Sequence, residues 1–177
     1  MSNRTLIIVA HPNLAQSRVN RAWIEELRKA GGPLTIHELA AAVTPAGKFN
    51  IAAEQKLLEA HDRIFIQFPL FWFNVPALLK QWLDEVFAYG WAFGPGGDKL
   101  KGKEIGLAVS TGGKAESYAA GFTIAQLTSP MELTIRYVGA KPLPTHLLHG
   151  ALYELTDAEL ARNADAYVQH VKSAKAA

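Results

Sequence analysis

Apolar positions recur along this chain in two rhythms. Thr5-Leu-Ile-Ile-Val-Ala10 is an unbroken apolar, β-branched run, the pattern of a strand buried on both faces. The polar stretch from His11 to Ser17 ends it. Apolar residues then return at helical spacing, with Trp23, Leu27 and Ala30 on one stripe of a helix predicted over 18–30. Ser17 is its N-cap, and Gly31-Gly32-Pro33 stops it. A second strand is predicted over 34–39 and a loop over 40–50, with Asn50 capping a helix that runs to about Ala60.

The stretch from Arg63 to Lys80 carries the strongest signal. Ile64, Phe65, Ile66 and Phe68 form a third strand bounded by Arg63 and Pro69. Pro76 suits the first turn of a helix predicted over 77–89. Between them, Phe71, Trp72 and Phe73 are adjacent aromatics in a connecting loop, where exposed aromatic clusters mark binding sites or interfaces. Gln67, Asn74 and two prolines interrupt the apolar run, which falls short of the ~20 residues a bilayer span needs. Further on, a Gly-rich connection leads to a fourth strand over 103–110, and residues near 121–137 are helical in part. A fifth strand is predicted over 141–149, at an edge because of Pro142 and Pro144. Thr156-Asp-Ala-Glu159 is a capping box opening a last helix with Leu160, Ala164, Tyr167, Val168 and Val171 on one face, and residues 172–177 read as a loose tail.

Strand and helix alternate throughout, which specifies an α/β domain whose right-handed crossovers place helices on both faces of a parallel sheet. Five strands fit a flavodoxin-like α/β/α sandwich of order 2-1-3-4-5, with a ligand site where strands 1 and 3 diverge. The length of 177 residues suits one domain over 1–177. Hydrophobic content of 49% against 19% charged residues is globular, and a net charge of +2 gives no footprint for nucleic acid. The absence of cysteine excludes disulfides and thiolate chemistry. No signal peptide is legible at the N-terminus, so a cytoplasmic protein is expected.

Three loops leave strand ends that this topology makes neighbours: 11–17, 69–74 and 110–113. The first enters a helix whose free N–H groups, with Ser17, Arg18 and Asn20, suit a phosphate. Gly112 and Gly113 in the third let backbone approach a ligand closely. A flat ring fits between that loop and the aromatics of the second. The combined site has the shape of FMN.

Ala10-His11-Pro12, Ser17-Arg18-Val19-Asn20, Phe68-Pro69-Leu70-Phe71-Trp72-Phe73, Tyr89-Gly90-Trp91-Ala92-Phe93-Gly94 and Ser110-Thr111-Gly112-Gly113 resemble the flavodoxin-like NAD(P)H:quinone oxidoreductase family over nearly the whole chain. The similarity is greatest to its short bacterial members, such as general stress protein 14 and the ancillary oxidoreductases of potassium-efflux systems. The resemblance implies FMN, with FAD as the alternative, NAD(P)H as cosubstrate, a quinone as acceptor and a homodimer with a flavin site at each end of the interface. It implies that His11 and Ser17, Arg18, Val19 and Asn20 hold the phosphate and ribityl chain. Pro69, Leu70, Phe71, Trp72 and Phe73 would cover the ring, and Ser110, Thr111, Gly112 and Gly113 would reach its pyrimidine side. Tyr118 matches a catalytic tyrosine of the longer relatives, while Ile124 stands where those relatives place a histidine.

Other signals lead elsewhere. Gly97-Asp-Lys-Leu-Lys-Gly102-Lys103 resembles a P-loop, but Glu104 replaces the magnesium-binding hydroxyl and the segment precedes a strand. There is no G-x-G-x-x-G run and no G-x-S-x-G elbow. His146 and His149 lack a nearby carboxylate and read as satisfied or exposed rather than as metal ligands. Lys80, Asp84 and Glu85 read as a solvated helix face. The alternative to the enzyme is a regulatory subunit docked peripherally on a membrane potassium-efflux transporter, with secondary redox activity.

Overall fold

The computed structural model describes residues 4–119 and 121–176. Four parallel strands, β1 (Thr5–Val9), β2 (Leu34–Glu38), β3 (Arg63–Pro69) and β4 (Glu104–Ser110), lie in the order β2-β1-β3-β4. Two short strands, β5 (Lys141–Pro142) and β6 (His146–Leu148), share the place beyond β4. The expected order 2-1-3-4-5 is therefore present, with its last position divided. Pro142 and Pro144 have no N–H to donate, so the single strand expected over 141–149 breaks between them and resumes at His146.

Among the described residues six α-helices cover the sheet: α1 (Arg18–Ala30), α2 (Leu39–Ala42), α3 (Ile51–Glu59), α4 (Ala77–Val86), α5 (Ile124–Tyr137) and α6 (Asp157–Ser173). The strand period of two sorts the core. Ile7, Val9 and Phe65 face α1 and α6, and pack with Trp23, Leu27 and Tyr167. Leu6, Ile8, Ile64, Ile66 and Phe68 point the other way, toward Leu39, Leu58, Trp82 and Ile135. Gly106 sits opposite Phe65 in the pairing of β3 with β4, and a Cβ there would come 2.6 Å from the Phe65 ring.

Several local expectations are corrected. The loop expected over 40–50 begins inside a helical turn, α2, because the Leu39-Ala-Ala-Ala42 run has high helix propensity and Leu39 is fully buried. The helix expected over 77–89 stops at Val86. The segment expected to be helical in part is so, with a continuous helix from Ile124 opened by a capping box between Thr123 and Gln126. Pro130 sits inside it, and the Gln126 carbonyl that would accept from residue 130 accepts from the Ser129 hydroxyl at 2.7 Å instead. The loose tail is tighter than expected. Lys172 and Ser173 complete α6, and Ala174 packs into the core, while Ala177 lies outside the described residues. Among the described residues no helix is long and apolar enough to cross a membrane.

Candidate functional site

The carboxyl ends of β1, β3, β4 and β6 finish side by side. Backbone bonds extend the ladder past the strands: Ala10 N–H donates to Gln67 O at 2.8 Å, Leu70 N–H to Ser110 O at 2.8 Å and Thr111 N–H to Leu148 O at 2.9 Å. A cavity of about 300 Å³ opens above this edge. From the first loop and α1 it is lined by His11, Gln16, Ser17, Arg18, Val19 and Asn20. The other strand ends add Pro69, Leu70 and Phe71, and then Ser110, Thr111 and Gly112. The three separate loops read from the sequence thus converge on one space.

The α1 end presents unpaired backbone donors. Ser17 is extended and its hydroxyl oxygen accepts from Asn20 N–H at 3.1 Å, as an N-cap does. That leaves the N–H groups of Arg18 and Val19 without intrahelical partners, at the positive end of a helix of 13 residues. The Arg18 guanidinium turns aside, donating to Asp157 Oδ1 and to the Leu155 carbonyl, each at 2.6 Å. His11 accepts from Asn13 N–H at its Nδ1, 3.0 Å away, so its neutral form carries the proton on Nε2. Burial is the largest cause of its lowered pKa.

Beneath the cavity lies a buried polar cluster. Asn20 donates from Nδ2 to Ser110 Oγ at 3.0 Å, and Gln67 donates from Nε2 to the Asn20 carbonyl at 3.0 Å. All three residues are nearly inaccessible, and Gln67 Oε1 has no partner. This cluster ties β3, α1 and β4 together directly under the site.

The aromatic lip has unusual backbone. Phe71 N–H donates to Asn74 O at 2.9 Å and Asn74 N–H to Phe71 O at 3.0 Å, closing a two-residue turn. Its central residues, Trp72 and Phe73, sit at φ of 48° and 62°. Such turns favour glycine and asparagine, and an L side chain there costs roughly 1–2 kcal/mol per residue. Trp72 is 94% exposed and Phe73 61%. Two bulky side chains are therefore held in a strained conformation without burial to offset it, and backbone strain of this kind concentrates at functional sites. Both lie at the rim, outside the cavity lining, whereas Phe71 lines it and meets the His11 ring edge-on at 6.2 Å.

Gly112 and Gly113 do not adopt positive φ. The space opened by their missing side chains is filled by protein: a Cβ on Gly112 would meet Leu152 at 2.8 Å, and one on Gly113 would meet Tyr118 at 3.2 Å. Leu152 and Ala151 belong to a segment that follows β6 and line the same cavity. Sequence reading missed this fourth wall, along with Gln16. The divided last strand hid the wall, although the rule that ligands gather at carboxyl strand ends applies equally to β6.

Tyr118 lies outside the cavity lining, stacked on His149 with ring centroids 5.5 Å apart and planes at 29°. Ile124 stands where the longer relatives' histidine was sought, yet a histidine from a different strand end reaches the same phenol. The Thr111 hydroxyl donates to Gly113 O at 2.8 Å and so accepts from His149 Nδ1–H at 3.0 Å. Burial lowers the His149 pKa, with Glu116 acting in opposition, which favours a neutral ring with a free Nε2. His146 is satisfied by Asn163 Oδ1 at 3.0 Å, and no cluster of metal-binding side chains occurs among the described residues.

The profile of the family described as a flavodoxin-like fold matches residues 3–171. An uncharacterized NAD(P)H oxidoreductase of Bacillus subtilis (strain 168), YdeQ, is 43% identical over 172 residues, spanning 95% of this chain and 86% of its own. General stress protein 14 of Treponema denticola, solved in complex with FMN, is 46% identical with a TM-score of 0.88, covering 96% of this chain and 98% of its own. An NADPH-quinone reductase from P. pentosaceus is 39% identical with a TM-score of 0.83, covering 95% and 97%. Sheet order, site position and these likenesses agree, and the chain belongs to the flavodoxin-like family.

Proposed function

We propose that this chain is a single-domain, FMN-dependent NAD(P)H:quinone oxidoreductase, working as a homodimer in the cytoplasm. The observation that carries the reading is the cavity itself, with unpaired helix N–H groups at one end and the strained aromatic turn at the other. The residues fit the cofactor. A phosphate suits the N–H groups of Arg18 and Val19 with the Ser17 hydroxyl, and a flat ring suits the space between Leu70, Phe71 and the Thr111–Gly112 backbone. The names of the similar proteins, an NAD(P)H oxidoreductase, an FMN complex and an NADPH-quinone reductase, support the same reading. FAD is the alternative cofactor, and nitro or azo compounds are further acceptors.

When bound, FMN supplies two-electron chemistry, taking a hydride from NAD(P)H and passing it to a quinone in ping-pong order. The protein's part is positioning and electrostatics. Trp72 and Phe73 offer an exposed platform for the nicotinamide and then the quinone. The N–H groups of Leu70, Phe71 and Thr111 are spent within the protein, which leaves those of Trp72, Phe73, Gly112 and Gly113 as donors for negative charge on a reduced ring. Tyr118, oriented by its stack on neutral His149, is the proposed catalytic phenol at the edge of the site. An apolar cavity of about 500 Å³ between α4 and α5, bordered by exposed Tyr137, supports the homodimer.

The decisive experiment is an absorption spectrum of the purified protein, followed by anaerobic NADPH and then menadione. Oxidised-flavin bands that bleach with NADPH and return with the quinone are the expected result. Protein that takes up neither FMN nor FAD would overturn the enzyme reading. The exposed aromatics would then favour the second reading, a peripheral subunit of a potassium-efflux transporter, tested by co-purification with the membrane fraction.

A further inference from the structure

The fourth wall of the cavity is a strap, residues 149–157, that runs from the end of β6 to the start of α6. Its first half is bonded to the 110–113 loop. Gly150 N–H donates to Gly113 O at 2.8 Å, Ala151 N–H to Thr111 O at 2.9 Å and Leu152 N–H to Gly112 O at 3.3 Å. These bonds place Ala151 and Leu152 on the cavity, with Leu152 over Gly112 although its side chain is 84% exposed. An apolar side chain so exposed contributes little to holding its own segment down. The second half of the strap is fastened by the Arg18 guanidinium, through Leu155 O and Asp157 Oδ1, both at 2.6 Å. Leu155 packs beside the α1–α6 core, so the fastening has a rigid base.

We propose that Arg18 is the latch of this strap and serves the site by holding its fourth wall in place, not as a direct ligand of the cofactor phosphate. Arg18 is the first residue of α1, and its backbone N–H faces the anion end while its side chain leaves in the direction of α6. The guanidinium is already engaged by a carboxylate and a carbonyl, which satisfy its charge. A phosphate would have to compete with these two partners for the orientation of the guanidinium, and drawing it toward the anion end would loosen the strap. Arg18 is on this account a positioning residue. The assignment of a flavin to the cavity rests on the function proposed above, whereas the latch itself does not.

The test uses Arg18→Gln, Asp157→Asn and the double variant, with two readouts. Hydrogen exchange at the Ala151 and Leu152 amides in the flavin-free protein reads the latch alone. Exchange is expected to rise by about tenfold in Arg18→Gln and by about threefold in Asp157→Asn, since a charge-assisted bond to a carbonyl exceeds an exposed ion pair. The double variant should be no faster than Arg18→Gln. Unchanged exchange in both single variants overturns the latch. Fluorescence titration with FMN and with riboflavin then separates the two roles of Arg18. The latch predicts that both single variants weaken FMN and riboflavin by the same factor, because the wall contacts the part the two ligands share. A loss in Arg18→Gln confined to FMN, with Asp157→Asn binding FMN as well as or better than the parent, would make Arg18 a phosphate ligand and sink the proposal. Parent protein that binds neither flavin, with exchange rising as expected, would overturn the flavin reading and leave the latch standing.

Discussion

Trp72 and Phe73 show how a residue can be chosen against its own backbone. Their left-handed φ values suit glycine, and their side chains lie largely in solvent. Phe73→Gly should therefore leave stability unchanged or raise it by about 1 kcal/mol, read as a shift in the denaturant midpoint at constant slope. The same variant should lower quinone turnover. A loss of stability above about 1 kcal/mol would mean that the ring is held for folding instead. The chain shows adjacent aromatics at 71–73, but a run of letters cannot reveal a positive φ. That conformation goes with the pair of bonds between Phe71 and Asn74, in the connection from β3 to α4. Gln67 is the opposite case. It is legible as a polar residue in an apolar strand, and only the fold shows its amide reaching the first turn of α1. Its Oε1 is an orphan, so Gln67→Leu removes an unsatisfied buried acceptor and should change stability by less than about 1 kcal/mol. Flavin affinity should fall nonetheless, because Asn20 loses its anchor on β3, and titration of the flavin-free variant would read that loss.

Between elements, one side chain fastens α6 to the sheet. Asn163 accepts from Trp23 Nε1 at 2.8 Å and pairs with His146 Nε2 at 3.0 Å, while its amide donates to the Leu147 carbonyl at 3.0 Å. Leucine at this position would leave an indole N–H, an imidazole N–H and a carbonyl without partners. At about 1 kcal/mol or more for each of these part-buried groups left unsatisfied, Asn163→Leu should cost at least roughly 3 kcal/mol in chemical denaturation. The amphipathic stripe of α6 was readable as Leu160, Ala164, Tyr167, Val168 and Val171, all buried. Asn163 was not, because it sits on the polar side of that stripe in sequence and finds its partners on other elements. The solvated face assigned to α4 was correct for Lys80 and Asp84, which pair at 2.6 Å. Glu85 departs from it, binding Lys48, Gln81 and the Phe49 N–H, which together hold its carboxyl below the usual range.

For the molecule as a whole, protonation sets the acid limit. His11, His146, His149 and His170 all have pKa values lowered, with burial the largest cause in each. The folded state therefore binds fewer protons than the unfolded chain below about pH 6.5, the ordinary histidine value. A lowered folded pKa gives stability that is fully present above that value and is lost as pH falls through the folded pKa. The melting temperature should be level from about pH 8 to 7 and decline between about pH 6.5 and 5, ahead of general carboxylate protonation. A His146→Asn variant should show a shallower decline over that window. A parent profile flat to about pH 5 would contradict the burial argument.

The chain by itself determined the alternation of strands and helices, the sheet order and the capping residues Ser17, Asn50 and Thr156, all of which the fold bears out, and it named three loops that the fold brings to one cavity. These are local or periodic properties, set by side-chain shape and hydrogen-bonding groups within a few residues. The tertiary structure alone decided the fourth wall from β6, the turn of Arg18 toward Asp157 and the meeting of Tyr118 with His149. Each joins residues far apart in sequence, brought together by parallel crossovers. Side-chain periodicity identifies the buried face of an element, whereas the partner a polar group meets depends on which strand ends become neighbours.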